Sequence, residues 1–191
     1  MAAGSSSDAE VVLALATARA PTLGAGRLIC VDGPAGSGKT TLGRALAAAT
    51  GAALVHTDDL MEGWGGFATV ATQLTGLVTE LAAGRVGSYR VYDWHEARFD
   101  ATVELAPAPW LVVEGVGSGE PAIAAHVTTL VWVEVDDTLR LARGLARDGA
   151  HMEPFWRTFM GQERELFARH RTQERADVLV DGTGVRPPVV P

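Results

Sequence analysis

Short apolar runs of strand length alternate with longer amphipathic segments over most of this chain. The apolar runs lie at Arg27–Asp32, Ala52–Thr57, Trp110–Gly117, Thr128–Asp136 and Ala176–Gly182. The segments between them carry apolar residues three and four positions apart, and they predict helices at Lys39–Thr50, Ala68–Ala83 and Asp137–Asp148, with a long helix after these. Runs of strand length that alternate with helices are typical of an α/β fold. Residues 27–182 therefore predict one α/β domain.

The two ends of the chain receive simpler interpretations. Residues 1–26 form an N-terminal extension, in which small residues at 1–7 predict a mobile tail. Asp8–Ala20 predicts a short helix that packs against the sheet edge without a chemical role. Residues 183–191 are rich in proline and predict an unstructured C-terminal tail.

A phosphate-binding pattern lies between the first predicted strand and its helix. The residues match G-x-x-x-x-G-K-[ST], with Gly33, Gly38, Lys39 and Thr40 at the fixed positions. Glycine lets the backbone turn with positive φ and approach a polyphosphate closely, so that main-chain amides surround the anion. The lysine can reach the β- and γ-phosphate oxygens, and the threonine hydroxyl can hold Mg²⁺. The residues expected to bind the phosphates are Gly33, Ala35, Gly36, Ser37, Gly38, Lys39, Thr40 and Thr41.

Composition narrows the class of protein further. Lys39 is the only lysine, since the other fifteen basic residues are arginine, and a compact ammonium suits a phosphate loop. The formal net charge of −7 argues against a general nucleic-acid-binding protein. The single cysteine, Cys30, is interpreted as a small buried side chain. No run suits a secretory signal or a membrane span, so we expect a cytoplasmic protein without a membrane partner, and homo-oligomerisation stays open.

Acidic residues stand at the ends of two predicted strands. Asp58 and Asp59 follow the second apolar run, and Glu114 lies near the end of the third. Because ligands gather at the carboxyl ends of strands in open α/β sheets, these carboxylates face the same crevice as the phosphate loop. Asp58 is the first candidate for a general base, Asp59 is a substrate contact, and Thr40, Asp58 and Glu114 are candidate Mg²⁺ ligands. A helix N-cap, and a structural role for Glu114, are the alternatives.

Aromatic residues concentrate in two further segments. Trp64 and Phe67 belong to a glycine-rich loop that either closes a wall over a planar substrate or is an ordinary connection. Residues 87–99 alternate aromatic and ionisable side chains in a strand-like pattern. Their charged groups can orient a polyhydroxylated acceptor, and a surface hairpin with local salt bridges is the alternative. The candidate acceptor contacts from the two segments are Trp64, Tyr92, Asp93 and Arg98.

Arginines cluster toward the C-terminal part of the chain. Arg140, Arg143 and Arg147 are three and four residues apart, so they project from one face of the predicted helix. Guanidinium groups can stabilise the charge of a transferring γ-phosphoryl group, and a solvated charged face is the alternative. Arg143 and Arg147 join Lys39 as candidate catalytic residues. The next amphipathic stripe is interpreted as core packing and contains Phe155, Trp156, Phe159, Met160, Glu163, Leu166 and Phe167.

The chain resembles the uridine kinase and phosphoribulokinase-related branch of the P-loop small-molecule kinases in GPAGSGKTT, VHTDDL, YDW, VVEGV and RLARGLARD. The nicotinamide riboside kinases and actinobacterial uridine-kinase-like proteins lie in the same neighbourhood. The likeness covers residues 27–182 and implies a five-stranded parallel sheet sandwiched by helices, a short Arg-bearing lid, and ATP with Mg²⁺. It also implies transfer of the γ-phosphate to a hydroxyl, with Asp58 as catalytic residue. Tyr92 and Asp93 would contact the acceptor, and Arg143, Arg147 and Asp148 would belong to the lid.

The chain departs from this family's pattern at three places. Leu60-Met61 stands where an aromatic residue is usual, His95 comes too early to match the family's histidine, and the lid lacks an Arg-Gly continuation. These departures leave open an ATP-binding protein that has lost its acceptor site.

Basic residues indicate which kind of acceptor a kinase of this type would use. Residues 58–84 contain neither Arg nor Lys, which favours an uncharged hydroxyl acceptor such as uridine or cytidine. Arg85, Arg90 and Arg98 leave a nucleoside-monophosphate kinase as an alternative. A GTPase-type switch is disfavoured, because its N-K-x-D motif needs a second lysine.

Overall fold

The computed structural model of the protein describes residues 3–191, with side chains described from residue 7 onward. Residues 1–2 of the predicted tail lie outside this range. The helices are α1 (Ala3–Ala18), α2 (Lys39–Thr50), α3 (Thr57–Leu60), α4 (Phe67–Ala82), α5 (Asp137–Asp148), α6 (Glu153–His170) and α7 (Thr172–Arg175). The strands are β1 (Arg27–Asp32), β2 (Ala53–His56), β3 (Gly87–Asp93), β4 (Arg98–Leu105), β5 (Trp110–Glu114), β6 (Thr129–Glu134) and β7 (Val178–Asp181). Two 3-10 turns cover Pro121–His126 and Ala150–Met152.

Five of the strands form one parallel sheet in the order β2-β5-β1-β6-β7. The expected α/β fold with a five-stranded parallel sheet is therefore confirmed. β1 is the central strand, with Ile29 opposite Val112 on one side and Thr129 on the other. The loop that follows β1 consequently lies at the middle of the sheet's carboxyl edge, where ligands bind in open α/β sheets.

Each face of the sheet is covered by its own pair of long helices. Alternate residues of β1 point to opposite faces, so Leu28 and Cys30 belong to one core and Ile29 and Val31 to the other. The first core packs against α4 and α6, and the second packs against α1 and α2. Cys30 is fully buried, as expected. Both faces of the central strand are therefore apolar, which explains the continuous apolar runs in the sequence.

The predicted strand-like segment at 87–99 is part of an antiparallel hairpin. β3 pairs with β4, with an irregularity between Val91 and Tyr92. Tyr89 and Tyr92 are buried under the hairpin, whereas most residues of β4 are exposed. The hairpin alternative considered for this segment is the structure that forms.

Both ends of the chain carry more structure than the sequence pattern predicts. α1 begins at Ala3 rather than Asp8, and it packs its Ala9, Val12 and Ala16 against the sheet. Residues 183–191 contain neither helix nor strand, but Val189 exchanges two backbone hydrogen bonds with Leu179 on β7. Within residues 3–191, none of the helices combines the length and the apolar character that a membrane span needs.

Candidate active site

The loop Gly33–Thr40 has the backbone geometry of a phosphate nest. Gly33, Gly36 and Gly38 have φ angles of 140°, 78° and 103°, which side-chain-bearing residues rarely adopt. A Cβ on Gly33 would lie 2.1 Å from the Val133 carbonyl oxygen, so only glycine fits this close approach. α2 begins directly after the loop at Lys39. Its positive end therefore faces the nest.

Lys39 and Thr40 are the first residues of α2, and both reach back toward the loop. The Lys39 Nζ donates to the Pro34 carbonyl oxygen at 2.9 Å, and this side chain is almost fully buried. The Thr40 Oγ1 donates to Glu114 Oε1 at 3.0 Å. The same carboxylate oxygen lies 2.5 Å from His56 Nδ1. Thr40, His56 and Glu114 therefore form one polar group beside the loop, at the ends of β2 and β5.

These oxygens suit a magnesium ion that also uses phosphate and water oxygens. Among residues 3–191 no group of three or more His, Cys, Asp or Glu side chains is arranged to hold a metal ion alone. Mg²⁺ normally needs only one or two protein ligands next to a polyphosphate. The Thr40 hydroxyl and the Glu114 carboxylate supply that donor set, with Asp58 in the same cleft. The residues present thus fit Mg²⁺ bound together with a nucleotide.

A cleft of about 1020 Å³ opens over the phosphate loop. It extends in two directions from Lys39, because the loop sits at the middle of the sheet. On the β2 side the lining residues are Asp58, Met61, Trp64, Trp94, Glu114, Val116, Trp156 and Phe159. On the β7 side they are Asp8, Thr41, Val180, Asp181, Gly182, Thr183 and Gly184. The cleft can therefore hold two ligands, or two parts of one ligand, that meet at the loop.

Asp58 lies on the β2 side in a desolvated but solvent-accessible position. Burial by the cleft walls raises the pKa of its carboxyl, and the positive charge of Lys39 opposes that rise. The charges of Glu114 and Arg147 also act on it, in opposite directions. Its backbone carbonyl accepts a hydrogen bond of 3.2 Å from Trp94 Nε1. The hairpin thus holds α3, and Asp58 with it, against the cleft.

The three candidate arginines of α5 do not share one role. Arg140 is buried and forms ion pairs with Glu163 and Asp137, so the expectation that it projects toward a phosphoryl group beside Arg143 and Arg147 is wrong. Glu163 also accepts a hydrogen bond of 2.8 Å from the amide of Ala35. The pair therefore supports the outer side of the phosphate loop.

Arg143 and Arg147 line the cleft itself. Arg143 Nη1 donates to the carbonyl oxygens of Gly36 and Gly182, each at 3.2 Å. Arg147 is exposed, and its guanidinium is held by Asp148 at 2.7 Å. The Arg147 guanidinium also lies over the Trp156 ring, 5.8 Å from its centroid, at the wall of the cleft.

An aromatic cluster closes the β2 side of the cleft. The ring of Trp64 lies 5.9 Å from Trp94, 6.5 Å from Trp156 and 5.5 Å from Phe159, each in an edge-to-face arrangement. The interpretation of the α6 stripe as core packing holds for Trp156 and Phe159, which are buried and also line the cleft, but it is wrong for Phe155, which is 52% exposed. Gly144 on α5 makes room for this cluster, because a Cβ there would lie 2.2 Å from the Trp156 ring.

Four candidate acceptor contacts lie outside this cleft. Asp59 is half-buried beside β2, and Tyr92 packs its ring against Trp94 and Phe99 at 5.4 and 5.2 Å. The Asp93 carboxylate accepts from the amides of residues 95 and 96 in the hairpin turn. Arg98 is exposed and pairs with Asp100 at 3.1 Å. The structure brings Asp58 and Trp64 to the cleft and keeps these four residues away from it.

Several residues that the structure places at the site were not identified from the sequence. Asp32 is buried at the end of β1 and accepts from the amides of Gly33, Gly117 and Gly119 at 2.7 to 3.0 Å. It thus fastens the loop after β5 to the phosphate loop, and burial raises its pKa to about 6 despite these bonds. His56 and Asp8 also belong to the site. For Asp32, the available sequence signal was its position directly before the glycine-rich pattern.

Comparisons with known proteins agree with this architecture. No protein-family model matches the chain, and no curated protein matches its sequence. Among solved structures, a possible uridine kinase from Bacillus stearothermophilus matches with a TM-score of 0.57 and 20% identity, over 82% of this chain and 89% of that one. A protein described as a candidate fructose transport system kinase from Silicibacter sp. TM1040 matches with a TM-score of 0.51 and 19% identity, over 79% and 85%.

At this level of identity the likeness concerns the fold. The sheet order with β1 at its centre, the glycine-rich nest after β1 and the helix that follows it occur together in this chain. Both solved structures are described as kinases. The chain therefore has the fold of these P-loop kinases.

Proposed function

We propose that this protein is an ATP-dependent kinase that transfers the γ-phosphate to a hydroxyl of a small, uncharged, nucleoside-like acceptor. The observation that carries the proposal is a single cleft in which Lys39 and the phosphate nest stand next to the Asp58 carboxylate. Phosphoryl transfer needs a bound triphosphate, a group that orients the attacking hydroxyl, and cations that stabilise the negative charge of the phosphoryl group in the transition state. The cleft offers one residue set for each need.

The donor side of the reaction rests on the nest and its cations. Main-chain amides of Gly36–Thr41 and the Lys39 ammonium hold the phosphates, and Arg143 braces the nest through the Gly36 carbonyl. Thr40 and Glu114 would hold Mg²⁺, which would supply positive charge against the phosphates of the donor. For its oxygen to bind the metal, the Thr40 hydroxyl would have to rotate its proton away from Glu114. Glu114 would keep its contact with His56.

The acceptor side of the reaction rests on Asp58. Its carboxylate accepts the proton of the attacking hydroxyl, and a pKa raised by burial brings it closer to the working pH of a general base. Arg147, whose charge already acts on Asp58, follows the phosphoryl group as it leaves the nest. The aromatic wall of Trp64 and Trp94 packs against the planar part of the acceptor and excludes water.

Charge in the cleft favours an acceptor that carries no phosphate. Within residues 3–191, the cationic side chains that line the cleft are Lys39, Arg143 and Arg147, and all three serve the donor phosphates. Arg85 pairs with Glu80, and Arg90 lies over the Phe99 ring at 4.7 Å on the hairpin. Arg98 pairs with Asp100. The three arginines that left a monophosphate acceptor as an alternative therefore all contact other groups.

An acceptor panel tests this proposal. ADP release is measured with ATP and Mg²⁺ alone, and then with uridine, cytidine, nicotinamide riboside, other nucleosides, sugars and the matching monophosphates. The proposal expects ADP release that a neutral acceptor stimulates and that Lys39→Ala lowers by about 10²–10³-fold. Stimulation by monophosphates only would contradict the uncharged acceptor, and nucleotide binding without any stimulation would identify a protein that binds ATP but has no kinase activity.

A further inference from the structure

The β7 side of the cleft is where the nucleoside part of the phosphoryl donor has to lie. Asp58 stands on the β2 side of the phosphate loop, so the γ-phosphate must point toward β2 during transfer. The rest of the nucleotide then extends from the loop across β6 toward β7. Strands are spaced by about 4.8 Å, so β7 lies roughly 10 Å from β1. The ribose occupies the nearer part of this distance, and the base reaches its far end.

The N-terminal helix contributes a carboxylate to this far end. α1 packs over the sheet beside α2, with Val12 and Ala16 in the same core as Val131 and Val178. Its C-terminal end lies at the amino ends of the strands, since Arg19 donates to the Thr128 carbonyl oxygen just before β6. The other end of α1 therefore rises toward the carboxyl edge of the sheet, and Asp8 lines the cleft there.

Asp8 is a largely buried acid to which the described residues donate no hydrogen bond. The residue is 8% exposed, although it lines the cleft. Among the side chains described from residue 7 onward, and the backbone of residues 3–191, nothing forms a hydrogen bond or ion pair with it. The residue lines the cleft, so a ligand group in the cleft can donate the hydrogen bond that these residues do not supply. Desolvation, together with the neighbouring charge of Asp181, raises the pKa of Asp8.

The neighbouring acid does not offer the missing bond. Asp181 already accepts hydrogen bonds from Thr183 at 2.7 and 2.9 Å and from Arg186 at 3.1 Å. Its negative charge stays next to Asp8, so the space between them attracts a group with hydrogen-bond donors. The base of a nucleotide carries such donors only where it has an amino group or a ring N–H.

We propose that Asp8 accepts a hydrogen bond from the exocyclic amino group of the phosphoryl-donor base, and thereby favours a donor whose base carries an amino group there over one that lacks it. This inference rests on the proposed function, since it assigns the base end of the same cleft. It gives α1, which lies outside the phosphate-loop domain predicted from sequence, a role in nucleotide selection. A site built to accept a bond from an amino group rejects an analogue that lacks it, because the buried carboxylate is then left unpaired.

The test compares ATP with purine riboside triphosphate, which has the same shape without the amino group. Dissociation constants are measured by calorimetry in Mg²⁺ for the wild type, Asp8→Asn, Asp8→Ala and a control, Glu10→Gln. Glu10 is exposed on the same helix. We expect the wild type and Glu10→Gln to prefer ATP by about 10- to 100-fold, the usual range for one hydrogen bond to a charged group. Asp8→Ala should reduce this preference to within about 3-fold, and Asp8→Asn, which keeps the side-chain volume, should retain only part of it.

Other outcomes separate failure of this inference from failure of the proposed function. A wild type that binds both nucleotides equally, or an Asp8→Ala variant that keeps the preference, would overturn the inference and leave the kinase proposal standing. Loss of affinity for 3′-deoxy-ATP or 2′-deoxy-ATP that disappears in Asp8→Ala would overturn it too, since Asp8 would then bind the ribose. A wild type that binds no triphosphate would overturn both. Circular dichroism and thermal unfolding verify that each variant is folded.

Discussion

Replacing Asp58 with asparagine removes one charge from the cleft and changes little else. The side chains have nearly the same volume, and the backbone carbonyl of Asp58 keeps its bonds from Trp94 Nε1 and the Met61 amide. α3 and the hairpin should therefore stay in place. What is lost is a carboxylate that can accept a proton next to Lys39 and Arg147.

The expected loss follows from the role of that proton acceptor. General-base assistance is worth about 10²–10⁴-fold, or about 2.7–5.5 kcal/mol of transition-state free energy. Burial raises the pKa of Asp58, which makes the carboxylate a stronger base than an ordinary aspartate. ATP affinity should change little, because Asp58 stands beyond the γ-phosphate. We expect kcat to fall by about 10³-fold while the Kd for ATP moves by less than about 3-fold.

Asp59→Asn is the matched control for this variant. Asp59 is the adjacent acid, and it does not line the cleft. Steady-state kinetics with a saturating acceptor, and calorimetry with Mg-ATP, are measured for both variants and the wild type. The control should retain at least half of the wild-type kcat. An Asp58→Asn enzyme with kcat within about 3-fold of wild type would refute the base role, and equal losses in both variants would point to a structural effect of α3.

Three further changes test other parts of the site. Gly144→Ala puts a Cβ 2.2 Å from the Trp156 ring and should destabilise the protein by about 1–3 kcal/mol in urea unfolding, whereas Gly76→Ala, with open space around it, should be neutral or stabilising. Lys39→Ala should lower kcat by about 10²–10³-fold with every acceptor, and an acceptor-dependent loss would contradict a role at the phosphates. Burial raises the pKa of Asp32 in the folded protein to about 6, from an ordinary value of 3.8, so its contribution to stability is present below pH 3.8 and is lost as pH rises through 6. The free energy of unfolding of the wild type, relative to Asp32→Asn, should therefore fall by about 3 kcal/mol between these limits, and a flat difference would contradict the shift.

The sequence was sufficient where function depends on local backbone geometry. The spacing of Gly33, Gly36 and Gly38 encodes positive φ angles, and the flanking strand and helix follow from their own periodicities. The alternation of strands and helices along the chain likewise permits few strand orders in the sheet. The resemblance to a kinase family then supplied the parallel five-stranded arrangement.

The sequence was insufficient where one pattern suits two environments. A stripe of aromatic residues on α6 has the same spacing whether it fills a core or lines a cleft, so Trp156 and Phe159 could not be distinguished from Leu166. Arg140 and Arg143 are three residues apart on one helix face, yet only a contact with Glu163, 23 residues away, decides that Arg140 supports the loop from outside. Asp8 reaches the cleft through a packing arrangement between α1 and the sheet that no local pattern predicts.

The destination of the transferred phosphoryl group tests the central claim most directly. ATP labelled with ¹⁸O at the γ-phosphate is incubated with the protein, Mg²⁺ and the neutral acceptor that stimulates ADP release most. The masses of the products are then measured by mass spectrometry. The account predicts that the labelled oxygens appear in a phosphate ester of the acceptor, in equal amount to the ADP formed. Label found only in inorganic phosphate, or an acceptor that stays unmodified while ADP accumulates, would contradict it.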